Sequence, residues 1–198
     1  MKVTYDNTFH NHPINTNKEK NHGCYEEILE DIESSINMYS EKHSKVLCIR
    51  LDVKYPKSDT SHDKKKIYNF TYNLKRSLNR EKIQGGHKVD PCILYVAEKH
   101  NECHEHYHYF IMVNGNAHQH TTKIHGKANR LWSKMINSNE TGLIDFCDKK
   151  GKNGIVIDRN STEYDKQYDE AFYQASYLAK VRGKENLDKG SWRIKKSR

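Results

Sequence analysis

The chain has 198 residues, 34% of them hydrophobic and 30% charged, with a formal net charge of +8; this is enough for one domain with a core and too little for two comfortable ones. Apolar residues recur in periodic segments, which excludes wholesale disorder, and Cys24, Cys48, Cys92, Cys103 and Cys147 form no CxxC pair, so neither a zinc ribbon nor a disulfide framework is indicated. No segment has the apolar length of a membrane span and MKVTYDNTFHNHPINTN lacks the apolar core of a signal peptide, so a soluble cytoplasmic protein with no membrane partner is expected.

Residues 1–23 are rich in Asn, His and Lys and are expected to form a polar extended arm. Tyr25, Ile28, Leu29, Ile32 and Ile36 then recur at helical spacing and predict a helix over about 25–42. VLCIRLDVKYP reads as a strand ended by Pro56. Ile67, Phe70, Leu74 and Leu78 mark a second helix, stopped by Gly85 and Gly86. CILYVAE and HYHYFIMVN read as a β-hairpin, and Ile124, Ala128, Leu131, Trp132 and Met135 as a third helix. LIDFCD and GIVIDR around KKGKN predict a second hairpin, before a last helix over about 164–181. The expected fold is α+β, a single mostly antiparallel sheet with helices packed on one face and the other face partly open. Its domain spans 24–184, followed by a basic tail, 185–198.

Lysine runs at Lys64–Lys66 and Lys149–Lys152 and the tail RIKKSR suit a polyanion as well as a solvated surface. In HEHYHYFIMVNG, alternation sends His104, His106 and His108 to one face and Tyr107, Tyr109, Ile111 and Val113 to the other. Imidazoles clustered at one end of an otherwise apolar strand suit a metal site. Glu98 can join that face only by pairing opposite an even-numbered residue, His106 or His108; pairing with His106 implies a connection with an odd residue count, centred on Glu102. His10 and His12 repeat the spacing without a strand-like run to hold them.

In AFYQASYLAKVRG, Tyr173, Tyr177 and Lys180 stand at i, i+4 and i+7 and share a helical face, while Tyr168, Phe172, Ala175 and Ala179 form a separate apolar stripe. A tyrosine there could serve as a nucleophile near a metal-bound electrophile, with the lysine stabilising a phenolate or a phosphate.

An HxH strand followed by YxxxYxxK resembles the HUH endonucleases that start rolling-circle replication. With IRLDVKYP, an acidic residue before HYHYFIMVN, Trp132 and SYLAK in that order, the chain is similar to the replication-initiator domain of filamentous phages and related prophage elements over about 46–180. The resemblance implies a nuclease of the bacterial cytoplasm that nicks single-stranded DNA or a hairpin origin, leaving a 5′-phosphotyrosyl enzyme and a free 3′-hydroxyl. It implies His106, His108 and Glu98 as metal ligands, Mn2+ or Mg2+ as the cofactor, Tyr177 as nucleophile, Tyr173 as a second tyrosine and Lys180 as their partner. His104 has no counterpart in the motif and is open as a substrate contact. Arg50, Asp52, Lys149, Lys150 and Lys152 are further candidates for contact with nucleic acid. No GxxxxGK[ST] occurs, so unwinding would fall to a separate helicase working with host replication proteins. Two other readings stay open: a non-catalytic nucleic-acid binder with a structural metal, and a metal-dependent oxygenase.

Overall fold

The computed structural model describes residues 1–56, 59, 63–83, 85–99, 105–147, 154–187 and 194–197. Four short strands come first: β1 (Val3–Thr4), β2 (Thr8–Phe9), β3 (His12–Pro13) and β4 (Cys24–Tyr25). Then follow α1 (Glu26–Lys42), β5 (Lys45–Lys54), α2 (Lys64–Asn79), β6 (Cys92–Glu98), β7 (His106–Asn114) and α3 (Thr122–Ile136). The chain closes with β8 (Ile144–Phe146), β9 (Ile155–Asp158), α4 (Tyr164–Ala175), a 3-10 turn (Ser176–Ala179) and β10 (Lys195–Lys196).

The fold is α+β, built on an antiparallel sheet in the order β10-β6-β7-β5, with β8 and β9 both on the outer edge of β5. The expected β6–β7 hairpin forms, with Glu98 opposite His106. The expected second hairpin does not. β8 pairs with Leu51–Val53 and β9 with Lys45–Cys48, so the two segments are one interrupted edge strand. Both answer the same open edge of β5, whose ten residues are long enough to take them end to end.

Helices cover both faces of the sheet, not one. Leu47, Ile49, Leu51 and Val53 of β5 join Tyr107, Tyr109, Ile111 and Val113 of β7 under Ile67, Phe70 and Leu74 of α2 and Ile124, Ala128 and Trp132 of α3. The even-numbered Val46, Cys48, Leu94, Val96, Phe110 and Met112 pack on the opposite side against Ile28, Leu29 and Ile32 of α1 and Phe172 and Ala175 of α4. The physical cause is visible in β6 and β7: their runs are apolar at nearly every position, so each face buries side chains and each needs a cover. Local chemistry sets the helix ends. The Asp63 carboxylate accepts from the Lys65 amide at 2.9 Å to cap α2, and α3 stops at Asn137 in the left-handed region.

The amino-terminal segment is folded against the body. β1 pairs with β4, β2 pairs with β3, and Ile14 is buried in the α1–α4 core. His10 and Asn11, both with positive φ, are the two central residues of the β2–β3 turn, which accounts for the histidines there: His12 Nδ1 meets Asp169 at 2.7 Å and His10 Nδ1 meets Glu33 at 2.8 Å. In the basic tail, Lys195 pairs with Tyr95 on the edge of β6.

Candidate active site

Along the face that meets α1 and α4, three adjacent strands change character at the same level. β6 runs Cys92, Leu94, Val96 and then Glu98; β7, read backwards, runs Met112, Phe110 and then His108 and His106; β5 runs Val46, Cys48 and then Arg50 and Asp52. Register aligns the polar ends, placing Asp52 opposite His108 and Glu98 opposite His106. A polar half-face thus interrupts a core face.

His108 is its centre. His108 Nδ1 lies 2.6 Å from Asp52 Oδ1 and Nε2 lies 2.5 Å from Glu98 Oε2, so the ring sits between two carboxylates. Burial pushes the His108 pKa down, but the hydrogen bonds and charges of Asp52 and Glu98 outweigh it and hold the pKa above the ordinary value. Burial alone would raise the Asp52 carboxyl; its bond to His108, the positive charges of His108 and Arg50, and a hydrogen bond from Cys147 bring it down to about 2.

Tyr177 closes the site from above. α4 tightens into the 3-10 turn after Ala175, and there the Tyr177 ring meets His108 edge-on with centroids 5.1 Å apart. The Arg50 guanidinium carbon lies 3.7 Å from the Tyr177 ring centre and Lys180 Nζ lies 4.4 Å from it. Burial raises the phenol's pKa, the Glu98 carboxylate raises it further, and Arg50 opposes both. Tyr173 is 43% exposed, and its carbonyl accepts from the Ser176 hydroxyl.

The segment after the turn braces the site. Cys24 bridges Lys180, the Val181 amide donates to the Gly23 carbonyl at 3.0 Å, and the Lys99 amide donates to the Gly183 carbonyl at 2.7 Å. Gly183 has φ +77, and a Cβ there would collide with Cγ of Glu98. Lys184, 1% exposed, donates to the Lys180 carbonyl at 2.6 Å; burial lowers its pKa to about 8 although the Glu98 charge opposes the shift.

The geometry therefore joins Glu98, His108, Tyr177 and Lys180, places half-buried His106 beside them in register, and leaves Tyr173 outside. Arg50 and Asp52, read from sequence as nucleic-acid contacts, are turned to Tyr177 and His108. His104, Lys149, Lys150 and Lys152 lie outside the described residues. Cys147, Gly183 and Lys184 were missed, and no motif marks them: they enter through the third dimension alone. Among the described residues no group of three or more His, Cys, Asp and Glu side chains stands ready to hold a metal ion, and no helix is long and apolar enough to cross a membrane. In donor chemistry the residues still fit a divalent cation: a carboxylate and an imidazole face each other, a second imidazole is across from the carboxylate, and Asp52 backs the first ring.

The model of the YagK/YfjJ C-terminal domain family matches residues 4–191, and the chain belongs to that family. No curated protein and no solved structure matches it.

Proposed function

We propose that this member of the YagK/YfjJ C-terminal domain family is an endonuclease of the HUH type, which nicks single-stranded DNA through a covalent tyrosine intermediate to start rolling-circle replication. One observation carries the reading. The Tyr177 ring lies against two cations, Arg50 and Lys180, and directly against a histidine that carboxylates on the two neighbouring strands hold in place.

In this mechanism Tyr177 loses its phenolic proton and its oxygen attacks phosphorus. The bond from phosphorus to the 3′-oxygen breaks, that oxygen takes a proton, and the 5′-phosphate stays on the tyrosine. Arg50 and Lys180 favour the phenolate and meet the charge gathering on the phosphate. Asp52 holds the His108 ring so that Nε2 points toward Glu98. Glu98, His106 and His108 would hold Mn2+ or Mg2+. A bound cation would polarise the phosphate and offset the Glu98 charge that keeps the phenol protonated. Religation is the same sequence reversed, with a 3′-hydroxyl attacking the phosphotyrosine.

The test is incubation with labelled single-stranded and hairpin oligonucleotides and Mn2+, followed by denaturing electrophoresis and mass mapping of the linked peptide. A denaturant-resistant adduct at Tyr177, lost in Tyr177→Phe and in His106→Ala or His108→Ala but kept in His10→Ala, is expected. Binding without any adduct would leave a non-catalytic nucleic-acid module in its place.

A further inference from the structure

On the opposite face of the sheet, at the same ends of β6 and β7, a groove of about 580 Å³ opens between α2 and the β6–β10 edge. Its floor is Tyr95, Ala97 and Tyr107. One wall is the outer stripe of α2: Lys64, Tyr68, Tyr72 and Lys75 fall within about 80° of one another on a helix of 100° per residue. Tyr68 and Tyr72 are 65% and 55% exposed, although α2 already buries Ile67, Phe70, Leu74 and Leu78 on its other stripe. On the facing wall Lys195 is exposed and shares the groove side of the edge with its pairing partner Tyr95, while Lys75 Nζ donates to the Ser197 carbonyl at 3.1 Å. Among the described residues Glu105 is the one acid in the lining, and it takes Lys64 at 3.4 Å and the Tyr107 hydroxyl at 2.5 Å. Lys196 turns away to Ser35 of α1.

We propose that this groove binds single-stranded nucleic acid, with bases stacked on Tyr68 and Tyr72 and the phosphate backbone drawn along Lys75 and Lys195. The inference rests on the nuclease reading for what the strand is there to do, but not for the binding itself. Exposed aromatic rings one helical turn apart offer flat faces to successive unpaired bases, and a double helix, whose bases are already stacked, could not use them. The lysines supply the sequence-independent attraction to phosphate, in keeping with the excess of positive charge over the chain. Position gives it a purpose. Ala97 lines the groove and Glu98 the candidate active site, so neighbouring residues of one strand face the two sites, and DNA flanking a nick would reach the groove around the sheet end.

The experiment measures anisotropy of a labelled oligo-dT, with an equal-length duplex and poly-glutamate as competitors, for the wild type, Tyr68→Ala/Tyr72→Ala and Lys75→Gln/Lys195→Gln. The tyrosine pair should weaken oligo-dT binding on the order of tenfold or more, and the lysine pair should flatten its salt dependence. Tyr68, Tyr72 and Lys195 are exposed, and glutamine keeps a polar side chain at half-buried Lys75, so thermal melting should hold. Adduct formation at Tyr177 with saturating oligonucleotide should survive both. A photo-crosslinking 5-iodouridine oligonucleotide should map to the peptide carrying Tyr68 and Tyr72. Unchanged affinity, crosslinks confined to other peptides, or a groove that prefers poly-glutamate overturns the proposal whether or not the adduct forms. An absent adduct with tyrosine-dependent binding instead overturns the nuclease reading and leaves the groove standing.

Discussion

Asp52 and His108 face each other across the β5–β7 pair, and the carboxylate takes the imidazole Nδ1–H at 2.6 Å. That contact fixes the ring and so fixes where Nε2 points. Asp52→Ala would leave the Nδ1–H without its partner and free the ring to turn. Mn2+ affinity should fall about 10–100-fold, measured by titration with electron paramagnetic detection of free Mn2+. An affinity equal to the wild type would separate Asp52 from the metal site.

The metal should also compete with a proton. Because the neighbouring carboxylates raise the pKa of His108, a cation at Nε2 must displace a proton over a range extending above the ordinary imidazole value, so Mn2+ affinity should increase with pH until His108 is deprotonated. Calorimetry in two buffers of different ionisation enthalpy should show proton release on binding near neutrality. In chelator-treated protein the signs are reversed for stability. The His108 contribution is fully present below about pH 6.5 and is lost as pH rises through its raised pKa. The Asp52 contribution is present above about pH 3.9 and is lost as pH falls toward about 2. Metal-free melting should therefore peak between those limits.

Gly183→Ala should damage the site from behind. A side chain there meets Cγ of Glu98 and sits at φ +77, where a non-glycine residue is strained. The loss should be about 1–2 kcal/mol by chemical denaturation, together with weaker Mn2+ binding. Normal stability and normal metal affinity would show that the Lys180–Lys184 segment does not brace Glu98.

Lys184 leads to an alkaline prediction. Its pKa of about 8 lies below that of an unfolded lysine, so from about pH 8 to about 10.4 the unfolded chain binds more protons and this residue's contribution to stability rises with pH. Lys184→Met should abolish that rise and leave a folded protein, since the methylene stem's packing is kept. Denaturation curves across that window decide it.

Tyr173→Phe should form the first adduct at the wild-type rate, because the ring stands outside the site. Arg50→Ala should slow adduct formation about 10–1,000-fold while binding of oligonucleotide changes little. A greater loss in Tyr173→Phe than in Arg50→Ala would exchange their roles.

The sequence by itself determined the elements and their faces. Alternation placed His106 and His108 opposite Tyr107 and Tyr109, and parity allowed Glu98 to join them, as the register bears out. Such periodicities are local and can be read without neighbours. Continuous apolar runs in β6 and β7 mean that both faces need a cover, but which helices supply it was settled by packing: α2 and α3 on one face, α1 and α4 on the other. The pairing of β8 and β9 was likewise undecided, because an edge accepts any strand that reaches it and the chain order favoured a hairpin. Tyr173 and Tyr177 look equivalent at i and i+4. Only the tightening of α4 into its final turn, braced by Gly23 and Lys184, presses one ring against His108 and leaves the other in solvent. Contacts between residues far apart in the chain depend on how several elements pack at once, and no single stretch of sequence encodes them.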